Sequence, residues 1–370
     1  MTAIQLADPA PDFAEFERVV RGEQPPQRVH QIELLMDQQI MQKVSEQYLR
    51  QRWEPLQDDN ADRYYPQLVD YYWRLGYDCL NVFPGMVNHP ERLSRHGEDT
   101  ARLTKGERRW IEEDEGLIAD WDDFHAFPWD DIHYDYRPIE IAAKHLPKGM
   151  KLTIMGTVFQ HVVFDLLGTQ KLFYLLYDNP ELVTAVFERW GAIVLDLYEH
   201  VADWDEIGAI WHGDDLGFTT STMVSPAVLR EHVIPWFARY AQVAHAQSKT
   251  FWLHCCGNVY ATGIISDLID TVELDAFHSF QDPILPISEF QERYSDRLAC
   301  MGGVDMDKLC RLEEEPLRAY MRDILNQCMQ GDRFIFGSGN TIANYVPVEN
   351  YLWMVDEGQR WQPSQAGDPA

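Results

Sequence analysis

His254 and Cys256 stand two positions apart and carry side chains that bind borderline-soft metals. They close an apolar run, Phe251-Trp252-Leu253, and precede Gly257-Asn258. A short apolar run of this kind reads as a buried strand, and Gly-Asn just past it as a sharp turn. In an extended segment, residues i and i+2 face the same side, so an imidazole and a thiolate would share one face. That is half of a zinc site. The other reading is a buried pair, Cys255-Cys256, beside a histidine bonded to backbone, because a lone His-x-Cys lacks two of the four ligands zinc usually takes. Carboxylates are candidates to complete the set: Glu33, Asp214 and Asp215 fall at expected strand ends, and His278 follows another. Asp214 and Asp215 are equally candidates for general acid or base, since burial and mutual repulsion raise a carboxyl pKa. Neighbours on a strand face opposite ways, so one of the two should line the cavity while the other caps the turn. His161, in Phe159-Gln160-His161, is expected just past the third strand, either touching a ligand or on a helix surface. His212 reads as a core residue.

Eight strands are expected to position these groups: Val29–Leu34, Cys79–Phe83, Leu152–Gly156, Ile207–His212, Thr250–His254, Val272–Phe277, Leu298–Met301 and Phe334–Phe336. Helical stretches lie between them. One opens at Ser225-Pro226, an N-cap followed by a first-turn proline, and runs on to Val243; another spans about Pro316 to Gly331. Strands alternating with helices argue for parallel βαβ units, and eight of them for a closed (β/α)8 TIM barrel. An open doubly wound sheet is the alternative, but no Gly-x-Gly-x-x-Gly follows an early strand. The whole chain, 1–370, is expected to form a single barrel domain with an N-terminal extension. The segment Asn88–Lys151 departs from the alternation and mixes aromatic with acidic residues, as in Arg108-Arg109-Trp110-Ile111-Glu112-Glu113-Asp114-Glu115 and Trp121 to Asp131. It reads as a folded excursion, either a lid or peripheral packing. Residues 362–370 read as a polar tail.

Composition narrows the function classes. Sixty acidic residues against 31 basic ones give a net charge of −29, which repels nucleic acid and anionic membrane surfaces. No apolar run approaches the roughly 20 residues that span a bilayer, and the first residues lack a basic signal region, so a cytoplasmic location is expected. The six cysteines are scattered and read as free thiols or ligands, not as a disulfide framework.

Five short motifs, in order, resemble the uroporphyrinogen decarboxylase superfamily, which includes the decarboxylase itself and the cobamide-dependent methyltransferases. They are Phe16-Glu17-Arg18-Val19-Val20-Arg21-Gly22-Glu23 with Arg28-Val29; Trp211-His212-Gly213-Asp214-Asp215-Leu216-Gly217 with Ser225-Pro226; His254-Cys255-Cys256-Gly257-Asn258; Gly302-Gly303-Val304-Asp305; and Gly337-Ser338-Gly339-Asn340. The resemblance implies a barrel with its site at the carboxyl ends of the strands; from their places at such ends, Glu33, His161, His278 and Asn340 are expected to bind substrate and Asp214 or Asp215 to do acid–base work. In the true decarboxylase an arginine-rich loop follows the first strand and binds the substrate's many carboxylates. Here that stretch is Glu33-Leu34-Leu35-Met36-Asp37-Gln38-Gln39, with no arginine before Arg50. Burying unpaired carboxylates is expensive, which disfavours a porphyrinogen substrate.

The methyltransferase branch uses zinc held by a His-x-Cys pair and a later cysteine near the eighth strand. His254 and Cys256 match the first two, but Gly337-Ser338-Gly339-Asn340 holds no cysteine. The resemblance therefore implies zinc-assisted methyl transfer or demethylation of a small substrate, with a carboxylate replacing the missing thiolate. The chain has no Asp-x-His-x-x-Gly element for a cobamide, so the corrinoid would be carried by a separate protein. A homodimer is a further possibility in such a family. The alternative is a lyase-type decarboxylase that uses an active-site Asp without metal, and a third is a barrel kept for binding alone.

Overall fold

A computed structural model describes residues 6–90, 94–98, 107–111 and 116–362. Eight strands form one sheet: β1 (Gln31–Ile32), β2 (Cys79–Val82), β3 (Lys151–Ile154), β4 (Ile207–Gly213), β5 (Thr250–His254), β6 (Ala276–His278), β7 (Ala299–Val304) and β8 (Phe334–Ser338). Their order is β1-β8-β7-β6-β5-β4-β3-β2, so that from β2 to β8 each strand lies beside its neighbour in sequence and β1 lies beside β8, with parallel pairing and helices between. This is the (β/α)8 TIM barrel expected from the alternation of strands and helices.

By contacts the chain divides into two compact units. One comprises Met1–Val82, Glu140–Thr153 and Asp275–Ala370. Its N-terminal helix, Phe13–Val20, buries Phe13, Phe16, Val19 and Val20 on one face and is capped by Asp12, whose carboxylate accepts from Glu15 N. Helical spacing of the four apolar residues sets that face. The extension is tied down at Asp78, whose buried carboxylate accepts from Asp12 N at 2.7 Å and from Arg28 at 2.5 Å, and meets His30 Nδ1 at 2.7 Å. Burial would raise this acid, yet His30 and Arg28 hold it below the usual range.

The other unit comprises Phe83–Ile139 and Ile154–Leu274. Within it β4 and β5 run in register, Gly213 beside His254, so the two strands end level. Just ahead of the segment Asn88–Lys151, Gly85–Val87 pairs antiparallel to His133–Asp135. Ser94–Glu98 pairs with Glu107–Ile111 in the same manner. Of the acidic run singled out by sequence, Glu112–Glu115 lie outside the described residues, as do residues 363–370 of the tail. Trp121, Phe124, Phe127 and Trp129 form a knot of edge and tilted ring contacts, with Trp129 Nε1 donating to the Phe124 carbonyl at 2.9 Å.

Several boundaries differ from expectation. The apolar residues Val272 and Leu274 do not extend β6; they close the preceding helix, with Val272 N bonded to Asp267 O and Glu273 at φ 58° in the left-handed region. β1 keeps only two of six expected residues, and β7 and β8 run further, to Val304 and Ser338. The single helix expected from Ser225 to Val243 is two, Pro226–His232 and Ile234–Ala246. Pro235 has no N–H to continue the first helix, so it starts a second one. Among the described residues no helix is long and apolar enough to cross a membrane.

Candidate functional site

Two adjacent acids follow β4 and do different work. Asp214 is fully buried. Its Oδ2 accepts from Val158 N and Phe159 N, both at 2.9 Å, and its Oδ1 from Gln160 N at 2.8 Å. Three successive N–H groups at the opening of a helical segment make a natural cradle for a carboxylate. His212 adds a fourth contact, Nε2 to Asp214 Oδ2 at 2.8 Å, and its Nδ1 meets the Tyr198 hydroxyl at 2.8 Å. That hydroxyl accepts from Gly156 N at 2.8 Å. With Asp214 accepting only, His212 donates through Nε2 and receives at Nδ1, and both ring nitrogens of His212 are satisfied. Asp214 was an acid–base candidate by sequence; the structure spends both its oxygens on anchoring the loop after β3. His212 is the core residue the sequence suggested.

Asp215 faces a different set. Its Oδ1 accepts from Cys256 N at 2.7 Å and lies 3.4 Å from His254 Nε2, while Oδ2 accepts from Gln160 Nε2 at 3.3 Å. Cys256 Sγ is 3.8 Å from the same His254 nitrogen. Burial by itself would raise Asp215, but the His254 ring and the Cys256 N–H together hold its carboxyl below the usual range. The three potential ligand atoms of Asp215, His254 and Cys256 lie within 4.8 Å of one another. A tetrahedral zinc with bonds of about 2.0–2.3 Å sets its donor atoms roughly 3.3–3.8 Å apart. The separations of 3.4 Å and 3.8 Å around His254 Nε2 fit that figure. One nitrogen, one sulfur and one oxygen donor are a chemically suitable set for zinc.

The loops that carry these donors follow from the sequence. Past β5, Cys255 is buried, while the Cys256 thiol lies on the side of His254 Nε2. Burial pushes the Cys255 thiol well above the ordinary range. Gly257 adopts φ +100°, and a Cβ there would lie 2.3 Å from the Gly217 carbonyl carbon. Only glycine allows the turn after β5 to rest on the backbone of the loop after β4. Asn258 completes the turn, with its N bonded to Phe218 O and its side chain accepting from Ala261 N.

The remaining sequence candidates are placed as follows. His161 is buried, stacked on Trp190 with ring centres 3.7 Å apart, its Nε2 2.9 Å from His89 Nε2 and its Nδ1 3.0 Å from Asp165. It opens a short π-helix, His161–Leu166, a local widening often found at functional sites. Glu33 and His278 are both buried and both reach Ser338: Glu33 Oε1 accepts from Ser338 N at 3.2 Å, and His278 Nε2 meets Ser338 O at 3.1 Å. Asn340 Oδ1 accepts from Thr341 N at 2.7 Å. Two residues escaped the sequence analysis, Gln160, which holds Asp215, and Ser338. Both are ordinary polar residues in sequence, and only the fold reveals their partners.

Sequence comparison decides the family, since the family described as "Uroporphyrinogen decarboxylase (URO-D)" matches residues 101–361. The chain belongs to the uroporphyrinogen decarboxylase family. No curated protein sequence matches it significantly. Among solved structures, a methyltransferase from Methanosarcina mazei superposes with a TM-score of 0.64 at 14% identity, covering 94% of this chain and 98% of that one. At that identity the likeness shows a shared fold. A β-L-arabinopyranosidase from Geobacillus stearothermophilus (10% identity, 92% and 78% covered, TM-score 0.41) is too distant to add to the comparison. An intracellular xylanase from Thermoanaerobacterium saccharolyticum (10% identity, 90% and 90% covered, TM-score 0.39) is equally distant. Within this uroporphyrinogen decarboxylase-family barrel, the stretch after β1 stays acidic: Glu33 is buried, and Asp37 Oδ2 accepts from Asn344 N at 2.7 Å.

Proposed function

We propose that the protein is a zinc-dependent methyltransferase that removes a methyl group from the oxygen or nitrogen of a small substrate and passes it to a corrinoid carried by a separate protein. The observation that carries this is the convergence of Asp215, His254 and Cys256. Three protein donors are the complement of a catalytic zinc, which keeps its remaining position for substrate or water. The methyltransferase from Methanosarcina mazei, whose fold matches along nearly the whole of both chains, supports the same branch of the family.

Zinc bound by one thiolate, one imidazole and one carboxylate supplies Lewis acidity, stronger than that of a two-thiolate set because less electron density is pushed onto the metal. Such a set suits weakening a methyl–oxygen or methyl–nitrogen bond better than presenting a thiolate. The chain's own residues do the holding. His254 offers Nε2, Asp215 offers Oδ1 while Gln160 occupies its other oxygen, and Asp214 fixes the Val158–Gln160 backbone from which that glutamine extends. Decarboxylation by an unaided Asp fits less well, because Asp214 is committed to backbone N–H groups and Asp215 is held below the carboxylate range, where it makes a poor acid. The test is to incubate the zinc-loaded protein with cob(I)alamin and a panel of methyl ethers and methylamines. Methylcobalamin, followed by its absorption spectrum, should form with at least one of them and not with His254→Ala. No methylcobalamin from any substrate, together with carbon dioxide release from small carboxylic acids, would transfer the assignment to decarboxylation.

A further inference from the structure

Glu33 follows β1 and is 2% exposed. It follows a close approach of β1 to β8: Ile32 pairs with Gly337, and a Cβ on Gly337 would fall 2.0 Å from the Ile32 carbonyl oxygen. The next residue of β8, Ser338, meets Glu33 twice, through its backbone N–H to Oε1 and through its hydroxyl to Oε2. The same hydroxyl also contacts the backbone carbonyl of Asn340.

The Ser338 hydroxyl faces two oxygens with one hydrogen. A serine hydroxyl has one hydrogen to give, and a backbone carbonyl has none. The Ser338–Asn340 contact therefore uses the Ser338 hydrogen. A hydrogen on Glu33 gives each contact its own donor, Glu33 to Ser338 Oγ and Ser338 Oγ to the Asn340 carbonyl, whereas an ionised Glu33 leaves one hydrogen shared between two acceptors. The Ser338 N–H is committed to the other oxygen, Oε1, and the Ser338 carbonyl receives His278 Nε2. The groups facing Glu33 agree. They are Ser338 of β8, Tyr71 and Tyr72 of the helix Ala61–Arg74, Tyr77 ahead of β2, and Tyr351 of the helix Val348–Arg360. Four phenols and a hydroxyl offer no positive charge.

We propose that Glu33 is a neutral carboxylic acid at neutral pH, and that its proton positions the Ser338–Asn340 turn at the end of β8. Glu33 is a positioning residue that acts through Ser338. When it ionises, the Ser338 hydrogen turns back to the carboxylate and the Asn340 carbonyl loses its donor, so the turn carrying Asn340 loosens in alkali. Burial pushes the Glu33 carboxyl up to about 8, against 4.5 for the free side chain. The folded value is raised above the unfolded one, so the stabilisation is complete below about 4.5 and is lost as pH rises through 8.

Glu33→Gln keeps an acceptor for the Ser338 N–H and a donor for its hydroxyl, and cannot ionise. The ratio of the wild-type to the Glu33→Gln folding constant, from urea titrations, should fall roughly fiftyfold between pH 6 and pH 8. A ratio that stays flat or rises over that range overturns the proposal. If Glu33→Gln fails to fold, infrared spectroscopy of the wild type decides. A protonated carboxyl band at pH 7 that fades by pH 9 supports the proposal, and its absence at pH 7 overturns it.

Discussion

Asp215 and Glu33 are both acids just past the end of a barrel strand, the first partly and the second fully buried, and the fold drives them in opposite directions. Asp215 meets an imidazole and a backbone N–H, which together outweigh burial and hold it as a carboxylate. Glu33 meets phenols and a serine with one hydrogen to share, and burial wins. The charge state of a strand-end acid is thus set by what its neighbours can donate, not by its depth alone. Asp214, one residue from Asp215, differs in its partners: backbone N–H groups and His212 take up both its oxygens, with no capacity left for a ligand.

This contrast can be broken experimentally. The largest effect should come from Asp214→Ala, which leaves three backbone N–H groups and His212 without their acceptor in a buried setting. A loss of about 3–5 kcal/mol in urea unfolding is expected, the range for removing one partner of a buried charged network. Asp215→Ala should stay within about 1 kcal/mol of wild type in stability, its group being only partly buried and its pairing surface-like, while losing zinc binding. Equal destabilisation by the two substitutions would erase the division of labour between them. A smaller change should follow Gln160→Ala, which frees the second oxygen of Asp215 without touching a donor atom. Zinc affinity, measured by chelator competition, should weaken about 10–100-fold with the fold intact. An unchanged affinity would show that Gln160 does not orient Asp215.

The sequence made the barrel legible because apolar runs and turn residues recur eight times in order. It made His254 and Cys256 legible because an i, i+2 pair on an extended segment must share a face. The same rule said that only one of Asp214 and Asp215 could line the cavity but could not say which. That choice depends on the N–H groups of Val158, Phe159 and Gln160, more than fifty positions earlier. Glu33 looked like a candidate for substrate because its proton-sharing partner, Ser338, lies 305 residues away in the chain. Periodicity also misjudged Val272 and Leu274, whose burial serves a helix end and not a strand.

The central claim is that Asp215, His254 and Cys256 hold a metal. Its most direct test is the zinc content of wild type, Cys256→Ala and Cys255→Ala after purification without added metal. About one zinc per chain is expected in wild type and in Cys255→Ala, whose thiol is buried away from the cluster, and close to none in Cys256→Ala. Equal metal content in wild type and Cys256→Ala would contradict the claim.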